Sequence, residues 1–167
     1  IYTTAAENKN LPATATVKNV EIINILNTGA PAAFGDASKF EGVTQMWQNS
    51  DAVPVTKLAA TTTAGFKGLT ATALSVTAAD AATSANIALT AAKGVAVTNI
   101  ATLAVDGPAL NSVNVSGTIA QTSTAATDPA ASLALGVTVA TAATTATINT
   151  AVDTVLTVGN KTGAALT

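Results

Sequence analysis

The sequence predicts an all-β protein, an irregular right-handed parallel β-helix. Three observations lead there: β-branched runs with period two, turn residues between them, and a recurring apolar-x-x-apolar-x-apolar template. An antiparallel β-sandwich satisfies the same pattern and is the alternative fold.

The template falls at Val20, Ile23, Ile25; at Val55, Leu58, Ala60; at Ala71, Leu74, Val76; at Ile100, Leu103, Val105; and at Leu110, Val113, Val115. Degenerate copies sit at Val43, Met46, Gln48 and at Val152, Val155, Thr157. The last two apolar positions of each copy share one face of a strand, because side chains alternate across the pleat. Turn residues often follow, as in Val105-Asp106-Gly107 and Val115-Ser116-Gly117. Their spacing is uneven, so the copies do not form a regular array and read as an irregular β-helix with excursions.

Residues 1–16 are polar and rich in Ala and Thr, with Pro12 against helix, and read as an irregular or linker segment. Residues 17–167 read as one β-rich structural domain. Ile1 in place of an initiator Met, with no signal sequence in view, marks the chain as a fragment or processed product of a larger protein. The Ala-rich stretches 77–93 and 141–150 are the competing signal, since Ala favours helix. Interleaved Thr, stiff at χ1, favours strand there, and a helical turn is the rival expectation only around Ala78–Ser84.

Composition narrows function. Hydrophobic residues are 49% of the 167-residue chain but aromatics only 3%, so the core is built from small aliphatic side chains. Charged residues are 10% against about 25% in an ordinary domain, which leaves Thr, Ser, Asn and Ala to cover the surface. Such a surface gives little colloidal repulsion and suits a protein packed against copies of itself. All seven basic residues are Lys. Without the guanidinium fork or an aromatic stacking platform, nucleic-acid binding is not expected.

With no His and no Cys, Ser-His-Asp and Cys-His catalysis and the usual zinc sites are excluded. Asp36 and Glu41 flank Lys39 in a turn-like stretch that reads as a solvated loop, so no catalytic residue is assigned and the chain is not expected to be an enzyme. Calcium suits the hard oxygen ligands that remain, and Asp51, Asp106, Asp128 and Asp153 occupy turn-like positions. Turn Asp also bonds its own backbone for local reasons, which is the simpler account of each one alone. Apolar runs are too short to span a bilayer. Asn114-Val115-Ser116 and Asn160-Lys161-Thr162 match the glycosylation pattern, which is uninformative in a bacterial setting. If Met46 faces inward, Trp47 faces outward and can anchor a neighbour, or else cover the open end of the core. Ile23 and Ile25, on the strand from Val20 to Leu26, complete the expected interface with it.

The phrase Val17-Lys18-Asn19-Val20-Glu21-Ile22-Ile23-Asn24-Ile25 and its continuation from Gly35 to Trp47 resemble Gram-negative surface-layer and RTX-type proteins exported by type I secretion. The Leu-x-Val-x-Gly style and Cys-free Ala/Thr/Val composition agree. The resemblance implies a mostly β, often β-helical fold, a cell-surface location and assembly with copies of itself into a lattice. It also implies calcium as the glue, with outer-membrane lipopolysaccharide reached through other parts of the parent protein. An adhesin or passenger module of a large secreted RTX-type protein is the alternative. The calcium-binding nonapeptides of that family are missing here, so none of its ligands carries over.

Overall fold

A computed structural model describes residues 2–4, 14–28, 35–49, 53–68, 73–93, 100–120, 132–140, 145–152 and 154–160. Fourteen strands run through it: β1 (Tyr2–Thr4), β2 (Val17–Lys18), β3 (Ile22–Thr28), β4 (Phe40–Glu41), β5 (Gln45–Asn49), β6 (Val55–Leu58), β7 (Thr63–Lys67), β8 (Ala73–Ala78), β9 (Ser84–Lys93), β10 (Ile100–Asp106), β11 (Ser112–Ala120), β12 (Ser132–Val139), β13 (Thr147–Thr150) and β14 (Thr154–Asn160). The only helical piece among the described residues is a 3-10 turn, Ala37–Lys39.

Every strand pairing among these residues is parallel. The protein is therefore all-β with parallel sheets, and the antiparallel sandwich is set aside. One sheet has the order β1-β3-β5-β7-β9-β11-β13, a second the order β14-β12-β10-β8-β6, and β2 pairs with β4 alone. From β5 onward the chain places alternate strands in the two large sheets. Period-two patterning is the same for parallel and antiparallel strands, so this order is a tertiary choice rather than a local one. Tyr2–Thr4, inside the segment expected to be irregular, forms the outermost strand of the seven-stranded sheet against Leu26–Thr28.

Register stacks like on like. In the five-stranded sheet Leu74, Leu103, Leu135 and Leu156 form one column, and Val76, Val105, Val137 and Val158 the next. In the seven-stranded sheet Ile23, Met46, Ala64, Ile87 and Val115 form an inward column. Beside it run Ile25, Gln48, Phe66 and Leu89. These side chains are buried except at the end of the stack, where Leu156 is 47% exposed and Val158 half-buried. Such columns place matched side chains in contact between neighbouring strands and make one continuous core, the main source of stability here.

Outside the sheets, backbone hydrogen bonds also tie connections that are distant in sequence. Ala79 N–H donates to Leu58 O at 2.8 Å and Asn111 N–H to Thr83 O at 3.0 Å. Strand is found where the Ala-rich stretch offered a helical turn as the rival: Ala78–Ser84 holds the end of β8, a tight turn in which Ala82 N–H reaches Ala79 O at 2.9 Å, and the start of β9. Ala78 and Ala82 are buried there, and segments distant in sequence supply backbone partners that a helix would have found within itself.

The template's phase holds through Val115 and fails in its last copy. Val155 and Thr157 point outward on β14, while Leu156 and Val158 continue the inward columns. In Thr154-Val155-Leu156-Thr157-Val158 apolar and β-branched residues occupy both faces, so alternation alone does not mark which is inside.

Candidate assembly surfaces

Gln48 fills an inward position of the degenerate copy at Val43, Met46, Gln48 and is fully buried. Its Nε2 donates to Val53 O at 2.9 Å and its Oε1 accepts Val53 N–H at 2.7 Å, so the amide is satisfied while it pins the chain between β5 and β6. Met46 beside it is buried and Trp47 turns outward, as strand alternation requires. Trp47 is half-buried because its indole lies over Gly65, its register partner on β7. A Cβ on Gly65 would fall 2.3 Å from the ring, so only glycine lets the indole lie flat. The ring nitrogen donates to Gln45 Oε1 at 2.8 Å. Part of Trp47 is thus spent on its own sheet.

Ile23 and Ile25, expected at an interface, are core residues at 4% and 0% exposure and have no surface to offer a partner. Their strand does reach the surface at the preceding outward position: Ile22 is 51% exposed and Val20, in the turn before it, 37%. The template already places Ile23 and Ile25 on the buried face of their strand, so the interface role drawn for them does not agree with their own pattern, and Ile22 is the residue of that strand that faces out.

Asn86, Asn114 and Asn149 stack on the outer face of the seven-stranded sheet. Asn114 Nδ2 donates to Asn86 Oδ1 at 3.0 Å, Asn149 Nδ2 to Asn114 Oδ1 at 2.8 Å, and Asn86 Nδ2 to Ala60 O at 2.9 Å. This amide ladder had one sequence signal, an Asn between two apolar residues in Ala85-Asn86-Ile87, Val113-Asn114-Val115 and, more loosely, Ile148-Asn149-Thr150.

The outer face of the five-stranded sheet is floored by small residues: Ala73, Ser75, Ala104, Ala134 and Gly136. They leave a shallow groove of about 570 Å³ between Pro54 and Val155, with a second of about 430 Å³ adjoining it toward Thr77, Asp106 and Thr138. No charged residue occurs in β8, β12 or β14, so Lys57 and Asp106 are the sheet's only charged strand residues.

Of the expected calcium ligands, Asp106 is half-buried at the end of β10, in register with Thr77 and Thr138. Asp51, Asp128 and Asp153 lie outside the described residues. Among the described residues no three carboxylates converge, and Asp106 by itself falls well short of the roughly six to eight oxygens that calcium takes.

Asp36 and Glu41 do not face one another across a reaction centre but enter separate ion pairs. Glu41 meets Lys18 at 2.6 Å in solvent. Asp36 meets Lys57 Nζ at 2.9 Å and accepts from Ser38 Oγ at 2.6 Å and Ser38 N–H at 3.0 Å, capping the 3-10 turn. Partial desolvation pushes its pKa up, but the Ser38 bonds and Lys57 outweigh this and hold it below the usual carboxylate value. A depressed folded pKa means that the stabilisation is present at neutral pH and fades as pH falls through that pKa. Asp36→Asn is expected to lower stability at neutral pH by about 0.5–1 kcal/mol, a small figure because Lys57 is solvated. The difference from wild type, read from urea midpoints, should close in acid below the ordinary carboxylate range.

Comparison with protein-family models, with curated proteins and with solved structures finds no match.

Proposed function

We propose that the chain is a non-catalytic structural segment of a bacterial cell-surface protein, a right-handed parallel β-helix that assembles with copies of itself into a surface-layer lattice. The observation that carries this is the stack itself: like-on-like columns of Leu and Val beneath an outer sheet face almost free of charge. Alternate strands entering two parallel sheets support coiling, and the strong preference of parallel crossovers for one hand supports the right-handed sense. Weakly charged faces allow open, repeating contacts between subunits without like-charge repulsion. Export by type I secretion, attachment to lipopolysaccharide through other parts of the parent protein, and calcium as an assembly factor belong to the same reading, on the sequence resemblance.

Sedimentation velocity and electron microscopy at high protein concentration test it, with chelator in one arm and millimolar calcium in the other. Sheets or higher oligomers, increased by calcium, are expected. Equal assembly in the two arms removes calcium from this segment. A strictly monomeric species in both overturns the lattice reading in favour of an adhesin or passenger module.

A further inference from the structure

The two large sheets carry opposite charge on faces of opposite shape. In the five-stranded sheet Lys57 is ion-paired with Asp36, which leaves Asp106, on the middle strand β10, as the strand charge without a counter-ion. In the seven-stranded sheet the charged strand residues are Lys67 and Lys93, both positive. Neither Asp106 nor Lys67 enters the ion pairs among the described residues, which join Lys18 to Glu41 and Lys57 to Asp36.

Asp106 stands on the wall of the smaller hollow of the five-stranded face, between Thr77 and Thr138. Ala104, two residues before it, lines both that hollow and the larger apolar one of about 570 Å³. The seven-stranded face is raised where this one is sunken. Trp47 lays its indole over Gly65, and Lys67 follows two residues along β7 on the same outward side, exposed. Each face therefore pairs an apolar position with a charge one outward step further along the strand. That step is about 6.6 Å on both, so an indole seated over Ala104 brings Lys67 to Asp106 when the two strands run in the same sense. Both positions lie inside their sheets: β10 is the third of five strands, and β5 and β7 each have a paired strand on either side.

We propose that the outer face of the seven-stranded sheet packs on the outer face of the five-stranded sheet of a second copy, Trp47 entering the hollow at Ala104 and Lys67 meeting Asp106. This rests on the assembly reading and names its surfaces. The contact joins two different faces, so it is heterologous and can extend from copy to copy. Five strands about 4.8 Å apart make a face of roughly 500 Å², below the about 800 Å² that each partner gives to a standard interface, so a single contact is weak and forms at high concentration.

Trp47 is the chain's only tryptophan, so its fluorescence reports on this contact alone. In the whole chain its emission should shift to the blue as concentration rises, in step with association seen by sedimentation velocity. Asp106→Lys or Lys67→Asp alone sets like charges together and should weaken association about tenfold, whereas the two combined should recover it. Circular dichroism shows whether each variant keeps its strands. If Asp106→Lys does not fold, Asp106→Asn takes its place, and adding Lys67→Met to it should cost nothing further. Assembly without a shift in emission, single variants that assemble like wild type, or a combined variant as weak as the single ones overturns this contact while leaving self-assembly standing. A strictly monomeric wild type overturns both.

Discussion

Leu103→Ala should destabilise the protein by about 3 kcal/mol, within the range for leucine truncation in a close-packed core. Leu103 is 1% exposed in the middle strand of the five-stranded sheet, flanked in its column by Leu74 and Leu135. Parallel sheets on both sides of the core limit collapse into the space left behind, so a cavity cost adds to the lost transfer energy. At about 2–4 °C per kcal/mol for a chain of this size, the midpoint should fall by roughly 10 °C. Leu156→Ala is the internal control. It removes the same atoms from the same column, but at a position 47% exposed, and should cost about 1 kcal/mol or less. Thermal melts at a concentration where the chain is monomeric separate the two, and equal losses would contradict a core running between the sheets.

Gly117→Val should be at least as damaging, by a different route. Gly117 has φ +104°, where a β-branched residue is strained, and it sits at the register shift between β11 and β9. A Cβ there would lie 1.8 Å from Leu89 O, a backbone atom of β9 that cannot move without breaking the ladder. Strain and displacement together should cost about 3 kcal/mol or more. Gly117 is itself exposed, so the loss cannot be assigned to a buried side chain. Gly159→Ala is the comparison: a Cβ at Gly159 meets nothing within 4 Å, and this change should be close to neutral. Hydrogen exchange on β9 and β11 should locate the Gly117→Val defect at their junction.

The sequence carried the inward face wherever apolar and polar residues alternate cleanly. Leu74, Val76, Leu103, Val105, Val113 and Val115 are all buried as their template positions require. Period two alone does not separate parallel from antiparallel pairing; the recurring template favours the parallel arrangement over the sandwich, and the pairings are parallel. Nor did alternation fix phase in β14, where apolar and β-branched residues occupy both faces and Leu156, not Val155, continues the inward column. Gln48 and Trp47 were visible as positions but not as devices. The partner of one is a backbone group five residues on, and that of the other is a glycine on the paired strand β7, Gly65. The amide ladder joins residues 28 and 35 positions apart, a separation that no local window spans.

Those two unequal separations have a consequence for how such a chain can change over generations. Asn86, Asn114 and Asn149 hold one column although the path between the second pair is longer by a quarter. Closing a longer connection costs little, about 0.6 kcal/mol for a full doubling of its length. Insertions and deletions between stacked strands can therefore accumulate while the columns stay in place, so relatives would share side-chain stacking long after their spacing and alignable length had diverged.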